Sequence, residues 1–104
     1  MAFDLEKALE NIQNEAKEEF GEDWPKVSGV MKDVINEEKS ALREIAEAHE
    51  SGDITDDELA EQLEYEEKAF VTGLSMASAV KKAAIQRVAS AMTDLFIKAI
   101  KAAV

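Results

Sequence analysis

His49, the chain's single histidine, is the residue with the most catalytic potential, because an imidazole titrates near neutral pH. Nucleophilic catalysis needs a serine, cysteine or threonine held beside such a base. The sequence pairs no nucleophile with this lone imidazole, and the absence of cysteine excludes thiolate chemistry and disulfides. We therefore predict that the chain is not an enzyme.

Carboxylates are the other group with chemical potential. They are concentrated on one predicted helix, at Glu61, Glu64, Glu66 and Glu67. A ferritin-like di-iron site needs Glu-x-x-His motifs on facing helices, but the residue three before the histidine is Ala46. We interpret the carboxylates as a solvated face, and we predict neither a metal nor a cofactor.

Residues 47–59 resemble the second half of an EF-hand calcium loop. Gly52 stands where the loop turns, Ile54 at its apolar position and Glu58 where the bidentate ligand sits. The first and third ligand positions differ from that pattern, because they hold a glutamate and a histidine.

The same segment has a simpler interpretation as a turn that precedes a capped helix. Thr55 and Glu58 match the S/T-x-x-E capping box, and glycine suits the turn before them. The sequence favours this capped turn and leaves open whether the loop Gly52–Glu58 binds calcium.

The elements that would position these residues are helical. Apolar residues recur at steps of three and four, and no stretch alternates with period two. We predict an all-α helical bundle, with helices at about 4–20, 24–50 and 56–103, in a single domain spanning 1–104. Two shorter helices would pack along a long C-terminal helix of roughly 72 Å. Gly73 is where that helix would kink, or break to give a four-helix bundle.

Charge divides the chain into two parts. Residues 1–68 carry 22 acidic and 7 basic side chains, whereas residues 69–104 carry five basic side chains and Asp94. Overall acidity, with a net charge of −11, disfavours phosphate contacts, so we predict no nucleic-acid partner. The cationic last third could instead meet an acidic protein surface, including that of another copy.

The last helix is the predicted interaction element. Its apolar face and two cations make up the candidate residues, which are Phe70, Leu74, Ile85, Val88, Met92, Leu95, Phe96, Ile100, Arg87 and Lys98. We expect this helix to pack against a copy of itself or against a partner protein.

The leading hypothesis is thus a non-enzymatic structural or interaction protein that forms a homo-oligomer or binds a protein partner. One alternative is binding to a membrane surface through the amphipathic, cationic helix. Another is a carrier of small apolar ligands, with a pocket around Trp24, Phe20, Phe70 and Tyr65. No basic, apolar leader is evident, so we expect a cytoplasmic location, while secretion without a classical signal stays open.

Overall fold

The structure is a computed structural model that describes residues 3–77 and 80–103. Over these residues the chain is helical and contains no strand, which confirms the predicted all-α class. These residues form four α-helices, α1 (Leu5–Phe20), α2 (Trp24–Glu50), α3 (Asp56–Leu74) and α4 (Lys82–Ala102).

The first two helices begin and end where the sequence predicts. The Asp4 carboxylate caps α1 by accepting a hydrogen bond of 3.1 Å from the Lys7 backbone N–H. Gly21 ends this helix with a φ of +54°, a conformation that glycine adopts without a steric cost. A short 3₁₀ turn follows, and α2 then begins with Pro25 in its first turn, where a missing N–H is harmless.

The corner between α2 and α3 is the most regular connection in the molecule. Gly52 turns the chain with a φ of +84°. The Thr55 hydroxyl accepts from the Glu58 backbone N–H at 3.1 Å, and the Glu58 carboxylate accepts from the Thr55 N–H at 3.0 Å. The predicted capping box is therefore confirmed.

The predicted continuous helix over 56–103 is wrong. Helix α3 ends at Leu74, and α4 begins only at Lys82. Between them the chain leaves the helix, and residues 78–79 of this stretch lie outside the described residues. Folding back lets α3 and α4 bury their apolar sides against each other, which one straight helix of this length could not do.

The predicted alternative, a break near Gly73 that gives four helices, is closer to the structure, since α3 ends one residue after this glycine. Gly73 itself lies inside α3. A Cβ atom at this position would lie 2.5 Å from Cγ2 of Val34 on α2. The glycine therefore allows α2 and α3 to approach closely. The helix ends just after it, where the Ser75 hydroxyl donates back to the Val71 carbonyl.

Successive helices run antiparallel, so the fold is an up-down-up-down four-helix bundle with extents of 41 × 21 × 19 Å. Helix α1 packs against α2 and α4, and α3 packs against the same two helices. Helices α2 and α4 therefore run in the same direction on opposite corners of the bundle. The core lies between all four helices, with Ile12, Val27, Leu59 and Val88 among its fully buried side chains.

Candidate interaction surface

Most of the apolar residues predicted to contact a partner lie in the core of the chain's own fold. Those that are buried are Phe70, Leu74, Ile85, Val88, Met92, Phe96 and Ile100. Leu95 is half-buried and packs against the same core. The apolar side of α4 is thus covered within the bundle, and the side that faces solvent is its cationic one.

The two predicted cations differ in their surroundings. Arg87 is exposed and forms an ion pair with Glu19 of α1, through its Nε atom. Lys98 is also exposed and lies three turns further along α4. Both side chains are therefore accessible on the surface, and one of them already stabilises the contact between α1 and α4.

The pocket predicted for a small apolar ligand does not bring its four aromatic residues together. Phe20 and Phe70 are buried in the core, and Trp24 is half-buried against that core. Tyr65 instead projects from α3 into solvent, with 75% of its surface exposed.

The outer surface of α2 and α3 carries the apolar side chains that the core does not cover. Among the residues that the structure describes, the exposed large hydrophobic side chains are those of Tyr65 and Met76, and Met76 is 80% exposed. Both lie beside the seam between α2 and α3, and each borders a groove along that seam. We call the surface formed by these two grooves the α2–α3 face.

The two grooves have similar linings and lie at different heights along the seam. The larger, of about 460 Å³, lies nearer the corner and is lined by Ala41, Glu44, Ile45, Ala48, Gln62, Tyr65 and Glu66. The smaller, of about 220 Å³, is lined by Val30, Asp33, Val34, Glu37, Gly73 and Met76. In each groove small or branched apolar residues form the floor and carboxylates form part of the rim, so an apolar partner with basic flanks would fit.

Two carboxyl groups lie close together between the two grooves. The pKa of Glu38 of α2 is raised to about 7, and the largest cause is its hydrogen bond with Glu66 of α3. Partial burial of Glu38 and repulsion by the Glu66 charge contribute to the same rise. Near pH 7 the Glu38 carboxyl is therefore protonated in about half of the molecules, and in that form it joins α2 to α3 without placing two full charges side by side.

Tyr65 is supported from its own helix. The Lys68 ammonium lies 5.4 Å from the centroid of the Tyr65 ring, within the range of a cation–π contact. Such a contact at an exposed site stabilises the ring position by about 0.5–1 kcal/mol. The aromatic ring is thus held in place while most of its surface stays accessible.

The corner between α2 and α3 contains the only histidine. His49 is 8% exposed, and its Nε2 lies 2.7 Å from Oδ1 of the exposed Asp56. Because a carboxylate accepts, Nε2 carries the proton, and the buried Nδ1 has no hydrogen-bond partner. The bond from His49 lowers the pKa of Asp56, and the positive charge of Lys101 acts in the same direction.

This corner pairs an imidazole with a carboxylate but offers no nucleophile. The hydrogen bonds of Ser51 go to the Ala48 carbonyl and to Asp53, and the Thr55 hydroxyl caps α3. Across the part of the chain that the structure describes, no three histidine or acidic side chains are placed to hold a metal ion. None of the helices described is long and apolar enough to cross a membrane.

Comparison of the chain with protein-family models, with curated proteins and with solved structures finds no match.

Sequence reasoning missed the α2–α3 face for an identifiable reason. The apolar stripe of α3 contains Leu59, Leu63, Phe70 and Leu74, and Tyr65 falls to one side of it. A tyrosine off the buried stripe of an amphipathic helix is a signal of an exposed aromatic. That signal could have been used, whereas the position of Met76 depends on where α3 ends.

Proposed function

We propose that this chain is a non-enzymatic interaction module that binds a basic, amphipathic helix on its α2–α3 face. The observation that carries the proposal is the position of Tyr65 and Met76. These exposed hydrophobic side chains border the two grooves of one seam. Tyrosine is over-represented among the residues that dominate binding energy, and methionine adapts to varied apolar partners.

The charges around the grooves define the kind of partner. Asp33, Glu37 and Glu44 line the grooves, and all three are exposed. An acidic rim attracts a basic partner and repels an acidic one, so the electrostatic field contributes specificity and speeds association. A helix with leucines on one side and lysines on its flanks meets both requirements.

The proposed binding surface is the α2–α3 face and not the apolar side of α4 that the sequence predicted. The class of protein, a non-enzymatic interaction protein, is the same. The apolar side of α4 is packed into the core, so a partner would not reach it without opening the bundle. The α2–α3 face needs no such opening, because its hydrophobic side chains are already exposed.

A binding titration tests the proposal with a dye-labelled, amphipathic helical peptide of lysine and leucine. We expect saturable binding that weakens at high salt, because the protein is acidic and the peptide is cationic. A peptide of the same composition in a non-amphipathic order is the control for simple charge attraction.

The double variant Tyr65→Ala/Met76→Ala should weaken binding at least tenfold, which corresponds to about 1.4 kcal/mol. The matched control is Asn14→Ala/Gln86→Ala, which changes two exposed residues on α1 and α4 and should leave the affinity unchanged. Equal affinity of the two double variants would show that the α2–α3 face is not the binding surface.

A further inference from the structure

The exposed edge of α2 next to the α2–α3 face carries an ordered set of negative charges. Asp33, Glu37, Glu44 and Glu47 are all exposed and follow one another at steps of four, seven and three residues. Such steps place side chains on one side of a helix. We call this set the acidic ridge, and its first three members line the two grooves.

The exposed side of α4 carries a similar set of four charged residues, and three of them are cations with the same spacing as Asp33, Glu44 and Glu47. Arg87, Asp94, Lys98 and Lys101 are exposed and follow at steps of seven, four and three residues. We call this set the basic ridge. Arg87 and Lys98 are eleven residues apart, as are Asp33 and Glu44, and this spacing is three helical turns or about 16 Å in each case.

The bundle presents these two ridges on opposite corners and in the same direction. Helices α2 and α4 are parallel to each other and lie across the bundle from one another. The two helices also lie at similar positions along the long axis of the bundle, because residues at the start of the chain contact the middle of α2 and the second half of α4. Glu6 pairs with Lys39 of α2, and the Phe3 and Phe96 rings have centroids 6.2 Å apart.

We infer that the basic helix recognised by the acidic ridge is α4 of a second copy of this chain, docked parallel to α2. In this register Arg87 faces Asp33, Lys98 faces Glu44 and Lys101 faces Glu47. A sideways shift of the whole molecule produces this pairing, because α2 and α4 already point the same way.

The charge pattern selects the parallel register over the antiparallel one. In the parallel register Asp94 faces Ser40, which is uncharged. In the antiparallel register that pairs Arg87 with Glu44, Asp94 would face Glu37, and like charges in contact destabilise an interface.

The inferred contact joins different surfaces of the two copies, so it is heterologous. Each molecule offers its acidic ridge to one neighbour and its basic ridge to another, and such contacts form rows or closed rings. The inference rests on the charged part of the proposed function, since it names a partner for the acidic rim of the α2–α3 face, while the apolar side of α4 stays in the core of its own copy.

Charge reversal on each ridge provides the test, because the two reversals compensate each other. One variant is Glu44→Lys/Glu47→Lys, and the other is Lys98→Glu/Lys101→Glu. Each alone places like charges against each other in every contact. A mixture of the two, or all four changes in one chain, restores opposite charges.

Light scattering behind size exclusion, over a range of protein concentrations, gives the readout. We expect the unmodified chain to show masses above 11.4 kDa that rise with concentration. Each single-ridge variant should require at least tenfold higher concentration for the same mass. The mixture and the four-fold variant should recover the behaviour of the unmodified chain.

Two control variants carry the same changes in net charge away from the ridges. Glu61→Lys/Glu64→Lys on α3, and Lys17→Glu on α1 combined with Lys82→Glu on the side of α4 away from the basic ridge, alter exposed residues and should leave the mass distribution close to that of the unmodified chain. An equal loss of assembly in these controls would show that net charge alone causes the effect, and it would overturn the specific pairing of the two ridges.

The outcomes also separate this inference from the proposed function. A chain that stays monomeric but binds the lysine–leucine peptide through Tyr65 and Met76 overturns the inference and leaves the proposed function standing. A monomer that binds no peptide overturns both. Recovery by the mixture of variants, without any effect of Tyr65→Ala/Met76→Ala, supports the ridge pairing and removes the apolar part of the proposed function.

Discussion

Two connections reverse the chain direction around α3, and they are built in different ways. The corner before α3 has a glycine at positive φ and a complete capping box, all within residues 52–58. The link after α3 leads into α4 without a side-chain cap, since Lys81 occupies the N-cap position. The first reversal is encoded by neighbouring residues, whereas the second depends on packing between distant parts of the chain.

The largest expected effect on the free energy of unfolding comes from the close contact of Gly73 with Val34. This contact lies near the end of α3, where packing between helices determines the structure. The change Gly73→Ala places a Cβ atom 2.5 Å from Val34 Cγ2. Valine is stiff in a helix, so the contact is relieved only by moving the helices apart. We expect urea denaturation to show a loss of about 1–2 kcal/mol, after the gain in helix propensity is included.

Gly29→Ala is the matched control, because a Cβ at that position meets nothing within 4 Å. Here the higher helix propensity of alanine should act alone and stabilise the protein by about 0.5–1 kcal/mol. A stabilising Gly73→Ala would show that α2 and α3 are less tightly packed than the structure indicates.

Removing the capping box tests the locally encoded connection. Thr55→Ala deletes the acceptor for the Glu58 N–H, and we expect a loss of about 1 kcal/mol in the free energy of unfolding. Thr72→Ala is the control, since that hydroxyl donates to a carbonyl of its own helix and caps nothing. Similar losses for both threonines would contradict the role given to the cap.

The same contrast explains how much of the fold the sequence could predict. The end of the first helix before Gly21 and the capped corner at Gly52 each depend on a few adjacent residues, and both were predicted correctly. The break after Leu74 has only Gly73 as a local signal, and this glycine leaves open whether the helix continues, kinks or breaks, because a helix without proline can continue until packing favours a reversal. The burial of candidate residues such as Val88 and Phe96 could not be predicted for the same reason, because it depends on how the helices pack in the folded chain.

The carboxyl pair between α2 and α3 makes this helix pair sensitive to pH. The folded pKa of Glu38 is raised to about 7, above its usual value of 4.5, so its proton is held more tightly in the folded state. The associated stability is fully present below pH 4.5 and is lost as the pH rises through 7. Between pH 6 and 8 we expect a loss of about 1 kcal/mol or less, since solvent partly screens the pair.

Denaturation of the unmodified chain and of Glu38→Gln at both pH values measures this effect. The amide keeps a hydrogen-bond donor towards Glu66 and cannot ionise, so its stability should change less between pH 6 and 8. An equal pH dependence in the two proteins would assign the effect to other groups.

The smallest expected effect comes from adding a cap where the structure lacks one. Lys81 has φ −67° and ψ 135°, the extended conformation that suits an N-cap residue. Lys81→Asp would supply a side-chain acceptor for the N–H groups of the first turn, and it would replace a cation at the positive end of the helix dipole. We expect a gain of about 0.5–1 kcal/mol in urea denaturation, with slower amide exchange in the first turns of α4.

Lys81→Ala separates the two contributions, because it removes the cation without adding an acceptor. If Lys81→Asp is no more stable than Lys81→Ala, the cap contributes nothing and the reversal after α3 is fixed by packing alone. A larger gain for the aspartate would show that this reversal can also be strengthened locally. The two connections would then differ in the residue at the N-cap position, which is Thr55 before α3 and Lys81 before α4, and not in whether the backbone there can accept a cap.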